Sequence, residues 1–487
     1  MSRTHAKKRS RSARKSYEPK PYQLESIRFG IKRDKAGFFL APGLGKTSIA
    51  LFIFNILRRL KVVDTLFVLA KRTICYEVWP VEVKKWAGLE KLRVSVVHGN
   101  RDERLRDDRA NVFVMNYEGL EWLKENEQRW FFADRKVMLV VDESSKLRNT
   151  ATIRFKSLKK LLHRFDRRYI LTGSPAPNGL MNLFGQVYVL DRGEALGKFI
   201  TAYRNRYFYP SGFMGTEWKL QPGAEARIFK KLSPFVLRYG ADQLKLPPLT
   251  FIDRHVKLPN KARALYDKFE EELAVRLQAG DIVAANAAVA SGKCRQLANG
   301  GVFYTDDGAL SASGRKAVRW ESVHDAKTEN LVDLLEELNG EPALVAFEYR
   351  HDKYRIQAYL KKHAPHLADA PFVDGETSAE KLRGYISQWN DGALPVMFAH
   401  PETAAHGLNL QGKGGIVVFF SLTWNLENYE QFYQRVWRQG QKRRVLVYRI
   451  IASNTVDEDV VAALKHKDAT QRRLLQAMEK RHAKITR

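Results

Sequence analysis

The sequence predicts an α/β protein with two parallel-sheet lobes, and three observations lead to that class. Apolar runs of strand length alternate with helical patterns twice, once between Phe38 and Thr172 and again between Ala343 and Tyr448. In the first block a glycine turn joins strand to helix: Phe38-Phe39-Leu40 passes through Gly43-Leu44-Gly45-Lys46-Thr47 into the helical run Ser48–Phe54. The second block repeats the alternation but has no Gly-Lys-Thr, so the two lobes carry different tasks.

Composition narrows the partners. The chain has 487 residues, room for several cores, and 83 Lys and Arg against 54 Asp and Glu leave a net charge of +29. A charge of that size calls for a polyanion, nucleic acid first. The apolar runs are short and broken by charge or glycine, which predicts no membrane span, and no apolar segment follows the basic start as a secretory signal would need. Cys75 and Cys294 stand far apart without metal-ligand spacing, which fits a reducing cytosol.

Residues 1–16 are basic and nearly free of large apolar side chains, so a disordered tail is expected there. Such a tail grazes phosphates, serves as a nuclear address, or is simply solvated. Order is expected from Tyr17, with Pro21-Tyr22-Gln23-Leu24-Glu25 opening a helix. Next comes the P-loop. Gly43 and Gly45 let successive backbone N–H groups face a phosphate at a helix N-terminus, Lys46 reaches the β- and γ-phosphates, and the Thr47 hydroxyl ligates Mg²⁺. A strict Walker pattern has glycine where this chain has Leu40.

Thr65–Ala70, Val94–Val97 and Val112–Met115 read as buried strands. Lys136–Val141 is another, and it delivers Asp142-Glu143-Ser144-Ser145 at its C-terminal end, where open α/β sheets bind ligands. There Asp142 suits the Mg²⁺ shell and Glu143 suits orienting and deprotonating water. Arg168–Leu171 repeats the pattern and ends in Thr172-Gly173-Ser174-Pro175, a turn able to sense a phosphate. Tyr203, Arg204, Arg206, Tyr207, Phe208 and Tyr209 interleave aromatic and basic character, as nucleic-acid binding or half-buried helix packing would. Pro247-Pro248 marks a linker, which places the lobes at 17–248 and 249–487.

Residues 260–300 read as helix. Ala343–Phe347, Pro395–Ala399, Ile416–Phe420 and Val445–Tyr448 read as strands of the second lobe. Between the last two lies Gln431-Phe432-Tyr433-Gln434-Arg435-Val436-Trp437-Arg438-Gln439-Gly440-Gln441. Arg435 and Arg438, one helical turn apart, would share a face and supply arginine fingers to a γ-phosphate.

Together these stretches resemble the Swi/Snf-type helicase-like ATPases of helicase superfamily two. Pro21-Tyr22-Gln23 resembles the adenine-reading glutamine motif, and Gly43-Leu44-Gly45-Lys46-Thr47 matches the family's phosphate loop. Asp142-Glu143-Ser144-Ser145 resembles its Asp-Glu-x-His box with Ser145 in place of histidine. Leu171-Thr172-Gly173-Ser174-Pro175 resembles motif III, Trp424-Asn425 the family's Trp-Asn-Pro, and Gln431, Arg435, Arg438, Gly440 and Gln441 the last helicase motif. His400-Pro401 and His406-Gly407-Leu408-Asn409-Leu410-Gln411 resemble the form found in compact phage and prophage members.

The resemblance implies two RecA-like lobes, helical insertions near 183–232 and 258–325, and one ATP with Mg²⁺ in the cleft. It implies that Gln23 reads adenine, and that Thr172, Gly173, Ser174, Gly407, Asn409, Gln431 and Gln441 couple the motifs. A DNA-stimulated ATPase moving along double-stranded DNA follows, with replication or recombination proteins as candidate partners. The expected setting is the cytoplasm, of a bacterial host if phage-encoded, or the nucleus in a eukaryote. A strand-separating DNA or RNA helicase is the closest alternative, and a non-hydrolysing DNA-binding protein the alternative of another class.

Overall fold

The computed structural model describes residues 14–98, 109–126, 135–177, 179–211, 217–278, 284–310, 316–404, 410, 412 and 414–467. They form two compact units, the first running to Gln243 and the second from Leu244, with Pro177 and Gly179 grouped with the second.

In the first unit the chain makes β1 (Lys35–Leu40), β2 (Thr65–Ala70), β3 (Val94–Val97), β4 (Val112–Asn116), β5 (Val137–Asp142) and β6 (Arg167–Thr172). A hairpin of β7 (Phe208–Ser211) and β8 (Glu217–Leu220) then precedes β9 (Val236–Tyr239). Apart from the hairpin these strands form one parallel sheet in the order β3-β4-β2-β5-β6-β1-β9. Every residue of β2 and β5 is buried, which is why both read as unbroken apolar runs and not as alternating ones. The β1–β6 register pairs Phe39 with Thr172, and the β5–β6 register pairs Asp142 with Leu171. Three strands therefore end side by side on the edge where the motifs sit.

Two helices hold that edge. α1 (Pro21–Ile31) starts on a proline, whose fixed φ suits a first helical position. α2 (Lys46–Arg59) buries Ile49, Leu51, Ile53, Phe54 and Leu57 and closes on Arg58 and Arg59, favourable at the negative end of its dipole. The 183–232 region holds helices Leu183–Asp191, Ile200–Tyr207 and Ala224–Leu232 around the β7–β8 hairpin. Arg14 and Lys15, expected in the tail, are tied down: the Arg14 guanidinium donates to the Val83 carbonyl at 2.7 Å, and Lys15 N donates to Lys85 O at 2.8 Å.

The second unit contains β10 (Leu249–Val256), a hairpin of β11 (Gly301–Leu310) and β12 (Lys316–Ser322), then β13 (Ala343–Ala346), β14 (Phe372–Val373), β15 (Val396–Ala399), β16 (Ile416–Phe419) and β17 (Val445–Ala452). Its parallel sheet runs β10-β17-β16-β13-β15-β14. β10 was not legible as a strand, because polar and charged residues such as Asp253, Arg254 and His255 interrupt it at the sheet edge, where solvent tolerates them. The 260–300 region is helical, over Asn260–Gln278 and Ala284–Asn299, but the expected helical insertion at 258–325 is only partly so, since the β11–β12 hairpin occupies much of the remainder.

A buried polar network fastens that insertion to the sheet. Lys327, fully buried, pairs with Asp457 at 2.5 Å and donates to Asn299 Oδ1 at 2.9 Å. Asn299 in turn donates to Asp352 and to Ser421, each at 3.0 Å. Every charge there has a partner, the condition under which burial of ions is tolerated. Among the described residues no helix is long and apolar enough to cross a membrane.

Candidate functional site

The phosphate loop takes its shape from two glycines. Gly43 and Gly45 have φ of 85° and 80°, the left-handed region where a side chain is disfavoured. Leu40 lies outside that region, as the last residue of β1 with its side chain fully buried, so the cradle needs no glycine there. Its carbonyl instead accepts from Lys46 Nζ at 2.9 Å, which parks the ammonium across the loop. Gln23 is spent on the same loop. Its Oε1 accepts from Lys20 N at 2.9 Å, and its Nε2 donates to the Leu44 carbonyl at 3.2 Å. A Cβ on Gly45 would come within 2.7 Å of that Nε2, so the glycine also admits the glutamine.

β5 brings up the acidic pair. Asp142 is buried, and its Oδ2 accepts from the Trp79 indole at 3.1 Å. Burial, then the neighbouring Glu143 charge, push the Asp142 carboxyl up to about 6, against the pull of Lys46 and the Trp79 hydrogen bond. Glu143 is half-buried with φ 56° and ψ 59°, a left-handed conformation costly for a residue with a side chain. The Tyr117 hydroxyl holds the turn by donating to the carbonyls of Asp142 and Glu143, at 2.7 and 3.3 Å.

The next strand end is continuous with this. Thr172 is buried and its Oγ1 accepts from Ser174 N at 3.1 Å. A Cβ on Gly173 would lie 3.1 Å from Pro42 Cδ, so the Thr172-Gly173-Ser174 turn touches the phosphate loop. Gly43, Leu44, Gly45, Lys46, Thr47, Asp142, Glu143, Thr172, Gly173 and Ser174 thus share one sheet edge, with Gln23 against it.

The donor set suits a hard cation. The site offers a hydroxyl at Thr47 and a buried carboxylate at Asp142, whose ionisation is opposed until positive charge arrives. The two glycines at positive φ and the start of α2 suit a phosphate.

In the second unit Arg435 and Arg438 do not share a helix, contrary to the expectation from their spacing. The helix Leu426–Tyr433 stops first, and tighter bonds follow: Arg435 N to Phe432 O and Val436 N to Tyr433 O, each at 3.1 Å. The reason is packing. Val436 is buried and the neighbouring Trp437 indole donates to the Pro247 carbonyl at 2.9 Å, so adjacent side chains are both pulled inward. Arg438 is half-buried, burial alone pulls its guanidinium below the ordinary value, and its side chain makes no hydrogen bond or ion pair among the described residues. Gln431 donates to Glu427 at 3.2 Å. Gln441 is committed to its own loop, donating to Gly414 O at 2.8 Å and accepting from the N–H groups of Lys442 and Arg443. Asn425 caps the helix, accepting from Asn428 N at 3.3 Å. Gly407 and Asn409 lie outside the described residues.

Sequence reasoning missed Trp79, Tyr117 and Gln186. Tyr117 follows β4 at the ligand-bearing edge, which position alone marks, and Gln186 is a lone glutamine in the apolar helix Leu183–Asp191. Trp79 carried no such signal.

Residues 22–299 match the SNF2-related domain, and residues 326–440 match the helicase conserved C-terminal domain. Putative protein p41 of Acyrthosiphon pisum secondary endosymbiont phage 1 is 33% identical over 96% of this chain and 100% of its own length. DNA repair and recombination protein RAD54 of Oryza sativa subsp. japonica is 25% identical over 93% of this chain, which spans 51% of that relative. The solved Sulfolobus solfataricus SWI2/SNF2 ATPase core in complex with dsDNA aligns over 95% of each chain with 19% identity and a TM-score of 0.43. Two α/β lobes with parallel sheets, a phosphate loop in the first and these two domain matches make the chain a member of the Swi/Snf-type, SNF2-related helicase-like ATPases of superfamily two, with a full-length phage relative.

Proposed function

We propose that the protein is a DNA-stimulated ATP hydrolase that moves along double-stranded DNA and remodels DNA or protein–DNA complexes. One observation carries the chemistry: β1, β6 and β5 end side by side, so the phosphate loop, the Thr172 turn and the Asp142–Glu143 pair face one space. Bound Mg²⁺ would supply charge neutralisation on the phosphates. Thr47 and Asp142 would hold that ion, Lys46 would leave the Leu40 carbonyl for the phosphates, and Gln23 would turn its amide from Leu44 O and Lys20 N to the adenine edge. Glu143 orients the attacking water and takes its proton. Arg438 is the principal finger, because its guanidinium has no competing carboxylate among the described residues, and Arg435 assists.

The polyanion is DNA. The net charge of +29 fits a phosphate backbone gripped without base reading, and the plant relative is named for DNA repair and recombination. The phage relative favours a bacterial host cytoplasm as the setting, with replication or recombination proteins as neighbours. Triplex displacement paired with forked-duplex unwinding, at one salt and ATP concentration, tests the reading. Third-strand displacement that needs ATP and is absent in Glu143→Gln is expected; fork unwinding without triplex displacement replaces the translocase with a helicase.

A further inference from the structure

The strained turn at Glu143 is braced on one side by Tyr117. Its other side reaches a residue with no part in the chemistry above. Gln186 is fully buried on helix Leu183–Asp191, and each end of its amide is used. Its Oε1 accepts from the Ser144 hydroxyl at 2.8 Å, and its Nε2 donates to the carbonyls of Pro175 at 2.6 Å and Asn182 at 2.8 Å. Ser144 is the residue after Glu143, and Pro175 the residue after the Thr172-Gly173-Ser174 turn. One side chain therefore joins two turns that are about thirty positions apart in sequence and that both carry site residues.

Hydrophobic packing alone does not call for glutamine here. A methionine of similar volume would fill the space without burying an amide, whose burial is tolerated only when its hydrogen bonds are made. What the amide adds is direction. Its bonds fix the distance between the two turns, while neighbouring Gly185 lets the helix approach so closely that a Cβ there would sit 2.1 Å from the Leu147 carbonyl. The helix presses on the segment that follows Glu143, so the junction is stiff on both its polar and its packed sides.

We infer that Gln186 is a positioning residue that locks the Glu143–Ser144 turn to the Thr172–Pro175 turn, so that a change at one moves the other. The inference rests on the ATPase reading of the site. Its test compares Gln186→Met, Ser144→Ala and the double variant with the parent and with Lys46→Ala, at saturating duplex DNA. Gln186→Met should lower kcat by about tenfold or more and leave KM for ATP within about threefold, and the double variant should be no worse than the worse single. Hydrogen exchange on the same proteins should rise together in peptides covering 143–147 and 172–177. A kcat within about twofold of the parent in folded Gln186→Met, an additive double variant, or exchange rising in only one of the two peptides overturns the coupling. If Gln186→Met does not fold, Ser144→Ala decides by the same readings. A parent without turnover fails the ATPase reading instead, and the exchange data still judge the link.

Discussion

Asp142 carries the sharpest pH signature of any single residue at the site. Its carboxyl titrates near 6 when folded, above the ordinary 3.8, so between those values the unfolded chain has released a proton that the native state keeps. In Mg²⁺-free buffer stability should therefore fall as pH rises from about 4 to about 6, and stay lower above it. Asp142→Asn removes the penalty, and at pH 7 that variant should be more stable than the parent by up to roughly 3 kcal/mol, read from urea midpoints. A variant that melts with the parent at pH 4 and also at pH 7 contradicts the burial argument. In the second unit, Arg438→Ala should cost turnover by roughly 10³-fold with little change in ATP affinity, since a finger acts on transition-state charge. Near-normal turnover there, with a dead Arg435→Ala, reverses the assignment between the two.

Elements answer for how far the sequence could be read. The helix Leu183–Asp191 packs its Gly185 backbone onto the Leu147 carbonyl, so Gly185→Ala should cost about 2–3 kcal/mol and slow hydrolysis with it, measured by urea unfolding and steady-state ATPase. A neutral Gly185→Ala means the helix can back away. No periodicity announced that contact, because a glycine within an apolar helix looks the same whether a neighbour touches it or not. Strands buried on both faces were legible: β2, β5 and β16 are continuous apolar runs. β10 and the two-residue β14 were not, one for its charged residues and the other for its length. At the site, residues held by local backbone chemistry, Gly43 through Thr47, could be found from spacing. Trp79 and Gln186 bond partners 63 and 42 positions away in the sequence, which no local pattern records. The arginine spacing misled for a related reason: a three-residue interval fits a helix, but the burial of Val436 beside Trp437 ended it.

At the scale of the molecule, charge and chemistry separate. A chain with net charge +29 should lose DNA affinity steeply with added salt and show little sequence preference, and Lys46→Ala should keep that binding while losing turnover. Anisotropy titrations of one duplex at several salt concentrations check both, and a parallel loss of binding and turnover would mean that the phosphate loop also holds DNA. The order of the second sheet has a consequence for synthesis. β17, made after residue 444, lies between β10 and β16, so the first strand of that lobe has no neighbour in its sheet until nearly the whole lobe has been translated. The first lobe has its final strand by Tyr239 and can close while still tethered to the ribosome. A released chain truncated at Arg444 would have every strand of the first lobe but a second sheet open at β16, the kind of unpaired edge that chaperones shield.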